Sequence, residues 1–242
     1  MKPQRLDEFL LARGMVTGKR EAFVLVTEGR VFVDGQKAVS PGQAVDADAA
    51  IEVRPGREFV GRGAYKLEAA IQGWKIEVGG KTCADIGAAT GGFTEVLLKR
   101  GAVKVYAIDA GRGKLDLKLR EDPRVVAMEE TNVLTMPPLP EPIDIATVDV
   151  SFTSLRLVLP KVRGWLTERG SVVALYKPQY EVKDTSLLKH GVIRDERARG
   201  ELVEVFRAWL GEHGWRERGF MESPIRGSEG NVEYLFYLQP QR

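Results

Sequence analysis

From residue 61 onward, short apolar runs alternate with amphipathic segments, and that alternation leaves few folds open to the chain. Strand candidates fall at Thr82–Ile86, Val103–Ile108, Arg124–Met128, Ile143–Asp149 and Ser171–Tyr176, with helix candidates at 64–73, 92–100, 112–120, 153–168 and 196–212. In the last of these, Leu202, Val205, Phe206, Trp209 and Leu210 follow the spacing of one helix face. Strands that alternate with helices predict a mostly parallel sheet covered on both faces. The tail breaks the rhythm. Arg216–Glu222 and Val232–Leu238 follow each other without an intervening helix pattern, and an antiparallel hairpin at one sheet edge is expected there.

The first sixty residues read as a separate small unit. Arg5 to Arg13 and residues 18–28 suit two short helices, closed by Gly14 and Gly29. Val31-Phe32-Val33 then runs into Asp34-Gly35, a hairpin signal, and Ile51-Glu52-Val53 reads as another strand. The expected organisation is an α+β unit over 1–56, a linker at 57–60 and an α/β domain over 61–242. The chain has 242 residues, enough for two such domains, with 43% hydrophobic and 29% charged residues. No apolar run approaches the roughly 20 residues of a membrane helix. The N-terminal stretch is charged where a secretory signal would be apolar, and the single cysteine, Cys83, cannot form an intramolecular disulfide. A soluble cytoplasmic protein is expected, and Cys83, inside a buried strand, reads as a small core residue.

The most informative stretch is Thr82–Phe93. A buried strand runs into Asp85, then a turn of small residues with Gly87, Gly91 and Gly92, then a helix. In open α/β sheets ligands sit at the carboxyl ends of strands, near the point where strand order reverses. The following strand ends at Asp109, where an acid suits the hydroxyls of a ribose. The glycine spacing is not G-x-G-x-x-G, and Asp85 would repel a pyrophosphate but not a sulfonium and an amino group. The ligand expected on these grounds is S-adenosyl-L-methionine rather than a nicotinamide dinucleotide.

Four titratable residues stand out by position. Lys66 precedes the core, Asp149 and Lys177 end strands at the edge where the cofactor belongs, and Glu233 opens the last apolar strand. A lysine beside a second lysine in a partly dry site holds its proton less tightly and can serve as a general base. His190 and His213 are far apart and have no cysteine partner, so no metal is expected. The net charge is +2, from 36 basic and 34 acidic residues, which does not by itself announce nucleic-acid binding.

Gly61-Arg62-Gly63-Ala64-Tyr65-Lys66-Leu67, Asp85–Phe93, Val148–Phe152, Lys177-Pro178-Gln179 and Ser223–Leu235 together resemble the TlyA family, FtsJ-like ribosomal RNA methyltransferases historically described as hemolysins. The resemblance covers essentially the whole chain. It implies an S4-like RNA-binding domain followed by a Rossmann-like methyltransferase domain with a seven-stranded sheet. It also implies 2′-O-methylation of cytidine in ribosomal RNA. The family's Lys-Asp-Lys-Glu tetrad falls on Lys66, Asp149, Lys177 and Glu233, with Lys177 as general base. The cofactor motif falls on Asp85, Gly87, Gly91, Gly92 and Phe93, with Asp109 on the ribose, Asn132 in the adenine-contacting segment and Asp149 shared. Where the S4 pattern has Ser-Arg, this chain has Gly18-Lys19, followed by Arg20. Arg5, Lys19, Arg20, Arg62 and Lys189 are the candidates for RNA phosphates, and Gln179–Ile193 is expected to be a mobile loop that orders over the RNA. The partners implied are ribosomal RNA or ribosomal subunits, with the oligomeric state left open. Three other readings stand beside this one: an RNA-binding protein with an inactive methyltransferase domain, a membrane-active hemolysin and a nicotinamide-dependent dehydrogenase.

Overall fold

A computed structural model describes residues 3–54, 56, 58–182 and 184–241. The chain divides into two compact units, Met1–Glu58 and Phe59–Arg242. In the first, α1 (Leu6–Ala12) and α2 (Lys19–Thr27) close over a small core of Leu6, Phe9, Leu10, Ala22, Leu25 and Val31. A short strand ahead of α1, β1 (Gln4–Arg5), comes before β2 (Val31–Val33), β3 (Gln36–Lys37), β4 (Ala44–Val45) and β5 (Ile51–Val53). β1 pairs with β4, and β2 lies between β3 and β5, all antiparallel. Asp34 and Gly35 both take positive φ, the twist that a two-residue hairpin turn requires.

The second unit alternates as its sequence does. α3 (Ala64–Trp74), β6 (Thr82–Ile86), α4 (Gly92–Lys99), β7 (Lys104–Ile108), α5 (Leu117–Arg120), β8 (Val125–Met128), β9 (Ile143–Val148), α6 (Leu155–Arg163) and β10 (Leu166–Tyr176) follow in turn. The chain then forms α7 (Pro178–Glu181), the two-stranded hairpin β11 (Leu188–Lys189) and β12 (Val192–Ile193), α8 (Glu196–Glu212), β13 (Trp215–Glu222) and β14 (Tyr234–Pro240). The main sheet has seven strands in the order β13-β14-β10-β9-β6-β7-β8. The five strands β6 to β10 are parallel, and β14 is antiparallel to both its neighbours. This is the mixed α/β sheet expected, with the tail hairpin at its edge.

Strand side chains alternate between two buried layers. Ala84, Ile86, Tyr106, Ile108, Val172, Ala174 and Phe236 enter one, packed with Phe206 of α8 and Trp215. Cys83, Val105, Ala107, Val173, Leu175 and Leu235 enter the other, against Leu67 of α3 and Leu97 of α4. Burial drives the Cys83 thiol up to about 12, as befits a core residue.

Several local expectations change. The helix expected over 112–120 is only α5, because Gly113 takes positive φ and Asp116 caps Lys118 N–H through its carboxylate. The helix expected over 153–168 starts at Leu155 behind the Ser154 cap and stops at Arg163, so β10 begins at Leu166 rather than Ser171. On α8 the buried stripe is Val203, Phe206 and Leu210, while Val205 is 56% exposed, since the sheet covers a narrower arc than the apolar pattern offers. Phe59 and Val60, read from sequence as linker, belong to the second unit: Phe59 is buried and Val60 N–H donates to Glu95. Arg57, also in that stretch, lies outside the described residues. Finally, Gln179–Ile193 carries secondary structure of its own. Glu181 accepts from Ser154 Oγ and Leu155 N–H, both at 2.6 Å, and Asn231 bonds Ile193 N–H and Gly191 C=O, fastening both ends of the segment.

Candidate active site

The strand order reverses between β6 and β9, and the candidate site lies at the carboxyl ends of those strands. β6 delivers the chain into the glycine turn. Gly87 has φ +84°, and a Cβ there would lie 2.2 Å from the Asp149 carbonyl oxygen, so the turn closes only without a side chain. Gly91 begins α4 at φ +93°, where a Cβ would strike Leu115 and Leu119. A Cβ on Gly92 would press on Ala64 N at 3.0 Å. Gly91 and Gly92 thus serve helix packing, whereas Gly87 lets the turn close on Asp149 and lies on the cavity wall. Phe93 is buried and lines a small cavity of about 100 Å3 with Gly87, Gly92 and Asp149.

Asp85 is placed differently from the sequence expectation. Its side chain is fully buried beneath the turn and accepts hydrogen bonds from Thr94 Oγ1 at 2.7 Å and Thr147 Oγ1 at 3.0 Å. Burial, opposed by the two hydroxyls and the Thr94 N–H and aided by the nearby Asp149 charge, pushes its carboxyl up to about 6. A sequence pattern places an acid at the strand end but does not say that two threonines will close over it.

A cavity of about 460 Å3 opens past the turn, lined by the apolar Ile108 and Val133 and by Gly87, Asp109, Asn132 and Asp149. Asp109 accepts from Ala89 N–H at 2.9 Å and Gly111 N–H at 2.7 Å, and Lys114 Nζ stands 3.2 Å away. Partial burial works against ionisation of Asp109, but those donors outweigh it and hold its carboxyl below the usual range. The Asn132 side-chain oxygen accepts from Leu134 N–H. The cavity has the size of an ordinary small-molecule site. Its mixture of apolar residues with the fixed carboxylate of Asp109 and the carboxylate of Asp149 fits a nucleoside bearing a cationic sulfur.

Beside it lies a second cavity of about 190 Å3 that holds the four titratable residues. Lys66 comes from the first turn of α3, Asp149 follows β9, Lys177 follows β10 and Glu233 precedes β14. Antiparallel pairing of Tyr176 with Tyr234 sets Lys177 and Glu233 at the same sheet edge. The four form two ion pairs. Lys66 Nζ lies 2.5 Å from Glu233 Oε2, with both side chains under a tenth exposed, and Lys177 Nζ lies 2.7 Å from Asp149 Oδ1. Lys177 Nζ also donates to Ser151 Oγ at 3.1 Å. Asp149 lies on the wall of both cavities.

Sequence reading missed Ser151, Tyr180 and Phe152. Phe152 is 88% exposed, takes φ +61°, and packs its ring 5.0 Å from that of Tyr180 at the mouth of the site. A bulky residue in that backbone region is uncommon and points to function; the motif Val148–Phe152 contains it, but the sequence does not show its backbone conformation. Of the RNA candidates, Arg62 lines the tetrad cavity and Lys189 stands exposed on β11. Arg5 pairs with Asp7 at 2.8 Å and Lys19 with Glu8 at 3.1 Å, while Arg20 is exposed, all within the first unit. Among the described residues no group of three or more His, Cys, Asp or Glu could hold a metal ion, and no helix is long and apolar enough to cross a membrane.

Comparison with known proteins matches residues 59–240 to the FtsJ-like methyltransferase family and residues 4–51 to the S4 domain. A relative from Mycobacterium tuberculosis, named 16S/23S rRNA (cytidine-2′-O)-methyltransferase TlyA, is 41% identical over 98% of this chain and 90% of its own length. Hemolysin A of Brachyspira hyodysenteriae is 38% identical over 97% of this chain and 99% of its own. A solved structure described as a hemolysin from Streptococcus thermophilus superposes with a TM-score of 0.74 at 34% identity, covering 100% of this chain and 90% of that one.

Proposed function

Because this chain belongs to the TlyA family of FtsJ-like methyltransferases, with an S4 domain ahead of the methyltransferase domain, we propose that it methylates the 2′-oxygen of cytidine in ribosomal RNA, using S-adenosylmethionine. The relatives' names supply the substrate; the observation that carries the chemistry is Asp149, whose carboxylate faces both the nucleoside-sized cavity and the cavity of the two lysines. A hydroxyl brought to Lys177 therefore lies next to the space that suits the methyl donor.

Asp109 and Asn132 would hold the cofactor's ribose and adenine ends, and Gly87 closes the turn that forms part of the cavity wall. When bound, S-adenosylmethionine supplies an electrophilic methyl group on a positively charged sulfur. A ribose hydroxyl is a weak nucleophile until its proton is leaving. Lys177 accepts that proton at Nζ in the fraction of molecules where it carries a lone pair, and Asp149 at 2.7 Å receives the resulting ammonium. Ser151 fixes the amine's direction. Lys66, held by Glu233, presents positive charge to the oxygen as negative charge grows there. The exposed Phe152–Tyr180 pair offers a face on which an unstacked base can rest. The remaining advantage is alignment of the reacting atoms.

All four tetrad residue types are present and paired, which favours an active enzyme over a binding protein with an idle domain. The test is transfer of labelled methyl from S-adenosylmethionine to separated ribosomal subunits and to naked ribosomal RNA, followed by digestion to nucleosides. Label in 2′-O-methylcytidine supports the reading. Label confined to a base, or to no RNA while the cofactor binds, refutes it.

A further inference from the structure

Next to the tetrad cavity is another, of about 390 Å3, that no candidate residue above accounts for. Three arginines from two segments of the chain line it: Arg194 ahead of α8, Arg199 in the first turn of α8, and Arg226 in the loop before β14. None of the three has a carboxylate within 4.0 Å among the described residues. Arg199 is held by donating to the carbonyls of Ile193 and Arg194, and its Nε is buried without a partner. Arg226 makes one long hydrogen bond, 3.4 Å, to the Gly230 carbonyl. The N-terminus of α8 is already capped, since Asp195 accepts from Arg197 and Ala198 N–H, so any anion binding here falls to the guanidinium groups. Glu229 is the one acid on the wall, and it stands on the boundary shared with the tetrad cavity.

Most arginines elsewhere in the second unit have found an acid: Arg100 has Glu68, Arg124 has Asp122 and Arg207 has Glu217. Three that have not, gathered around one polar hollow, call for an anion from outside. Guanidinium groups match phosphate oxygens by their planar fork and remain charged at any working pH. Every ribose within an RNA strand carries phosphodiesters on its 3′ and 5′ oxygens, so a ribose in the tetrad cavity must place phosphates beside it. Resting on the reading of this chain as a ribose methyltransferase, we propose that Arg194, Arg199 and Arg226 form a binding site for an RNA backbone phosphate flanking the target nucleotide. The site positions the strand and carries no base preference. The fastening of Gly191 and Ile193 to Asn231 then keeps Arg194 in register with the tetrad.

The test uses the full chain with Arg194→Gln/Arg226→Gln, two exposed positions, and Arg226→Lys. With ribosomal RNA as acceptor, the double variant should show a KM for RNA raised about tenfold, an unchanged kcat and an unchanged affinity for S-adenosylmethionine. Its dependence of log KM on log salt should flatten by about one, as expected when a phosphate contact is lost. Arg226→Lys should fall between, keeping the charge without the fork. A double variant with wild-type KM and salt slope, or one whose loss is in kcat alone, overturns the phosphate site while leaving the methyltransferase reading intact. A wild-type protein that transfers no methyl to RNA overturns both.

Discussion

Replacing Asp85 by Asn tests the physical account of the glycine turn where it is least ordinary. The carboxyl is fully buried, has two hydroxyl donors and no cation, and is pushed up to about 6. In an unfolded chain it would sit near ~3.9. The native state therefore holds this proton more tightly than the unfolded state does. Its contribution to stability is fully favourable below about pH 4, falls as pH rises from about 4 to 6, and is constant above. Two pKa units at ~1.36 kcal/mol each make the ionised Asp85 a cost of about 3 kcal/mol near neutral pH. Asn has the same shape, cannot ionise, and can still bond both threonines if one hydroxyl turns to accept. Urea unfolding at pH 7.5 and pH 4 should show the stability of Asp85→Asn relative to wild type falling by about 2–3 kcal/mol between the higher and the lower pH. Comparing the two pH values separates ionisation from any change in hydrogen bonding, which would be present at both. A difference that does not vary with pH, or that varies in the opposite sense, refutes the reasoning.

Two further outcomes follow from the site's geometry. Lys66→Met strands Glu233 in a nearly closed position, and unfolding stability should fall by about 3–5 kcal/mol; adding Glu233→Leu should restore most of that loss without restoring methyl transfer. Gly87→Ala forces a Cβ against the Asp149 carbonyl at positive φ; the strain should cost about 1–3 kcal/mol in unfolding and lower S-adenosylmethionine affinity, measured by calorimetry, at least tenfold.

The sheet was legible because its cause is local. Runs such as residues 105–108 and 172–176 are apolar on both faces, as strands covered on both sides must be. The short α5 and the early start of β10 were not legible, because a single cap at Asp116 and an end at Arg163 decide them against a broader apolar pattern. At the site, residue types and strand ends pointed to Lys66, Asp149, Lys177 and Glu233, but spacing cannot reveal who pairs with whom. That Lys66 meets Glu233 depends on β14 being inserted next to β10, and that Lys177 meets Asp149 depends on β9 lying on the other side of β10. Asp85 shows the opposite failure. A pattern that marks an acid beside the glycine turn cannot see Thr94 and Thr147 closing over it from α4 and β9.

The central claim is that Lys177 removes the ribose proton in a site whose cofactor cavity is built by other residues. Lys177→Ala, compared with wild type in single-turnover methyl transfer to ribosomal RNA and in S-adenosylmethionine binding, tests it directly. The account predicts transfer reduced by at least two orders of magnitude, with cofactor affinity within about threefold of wild type. Transfer at the wild-type rate, with label still in 2′-O-methylcytidine, would contradict it.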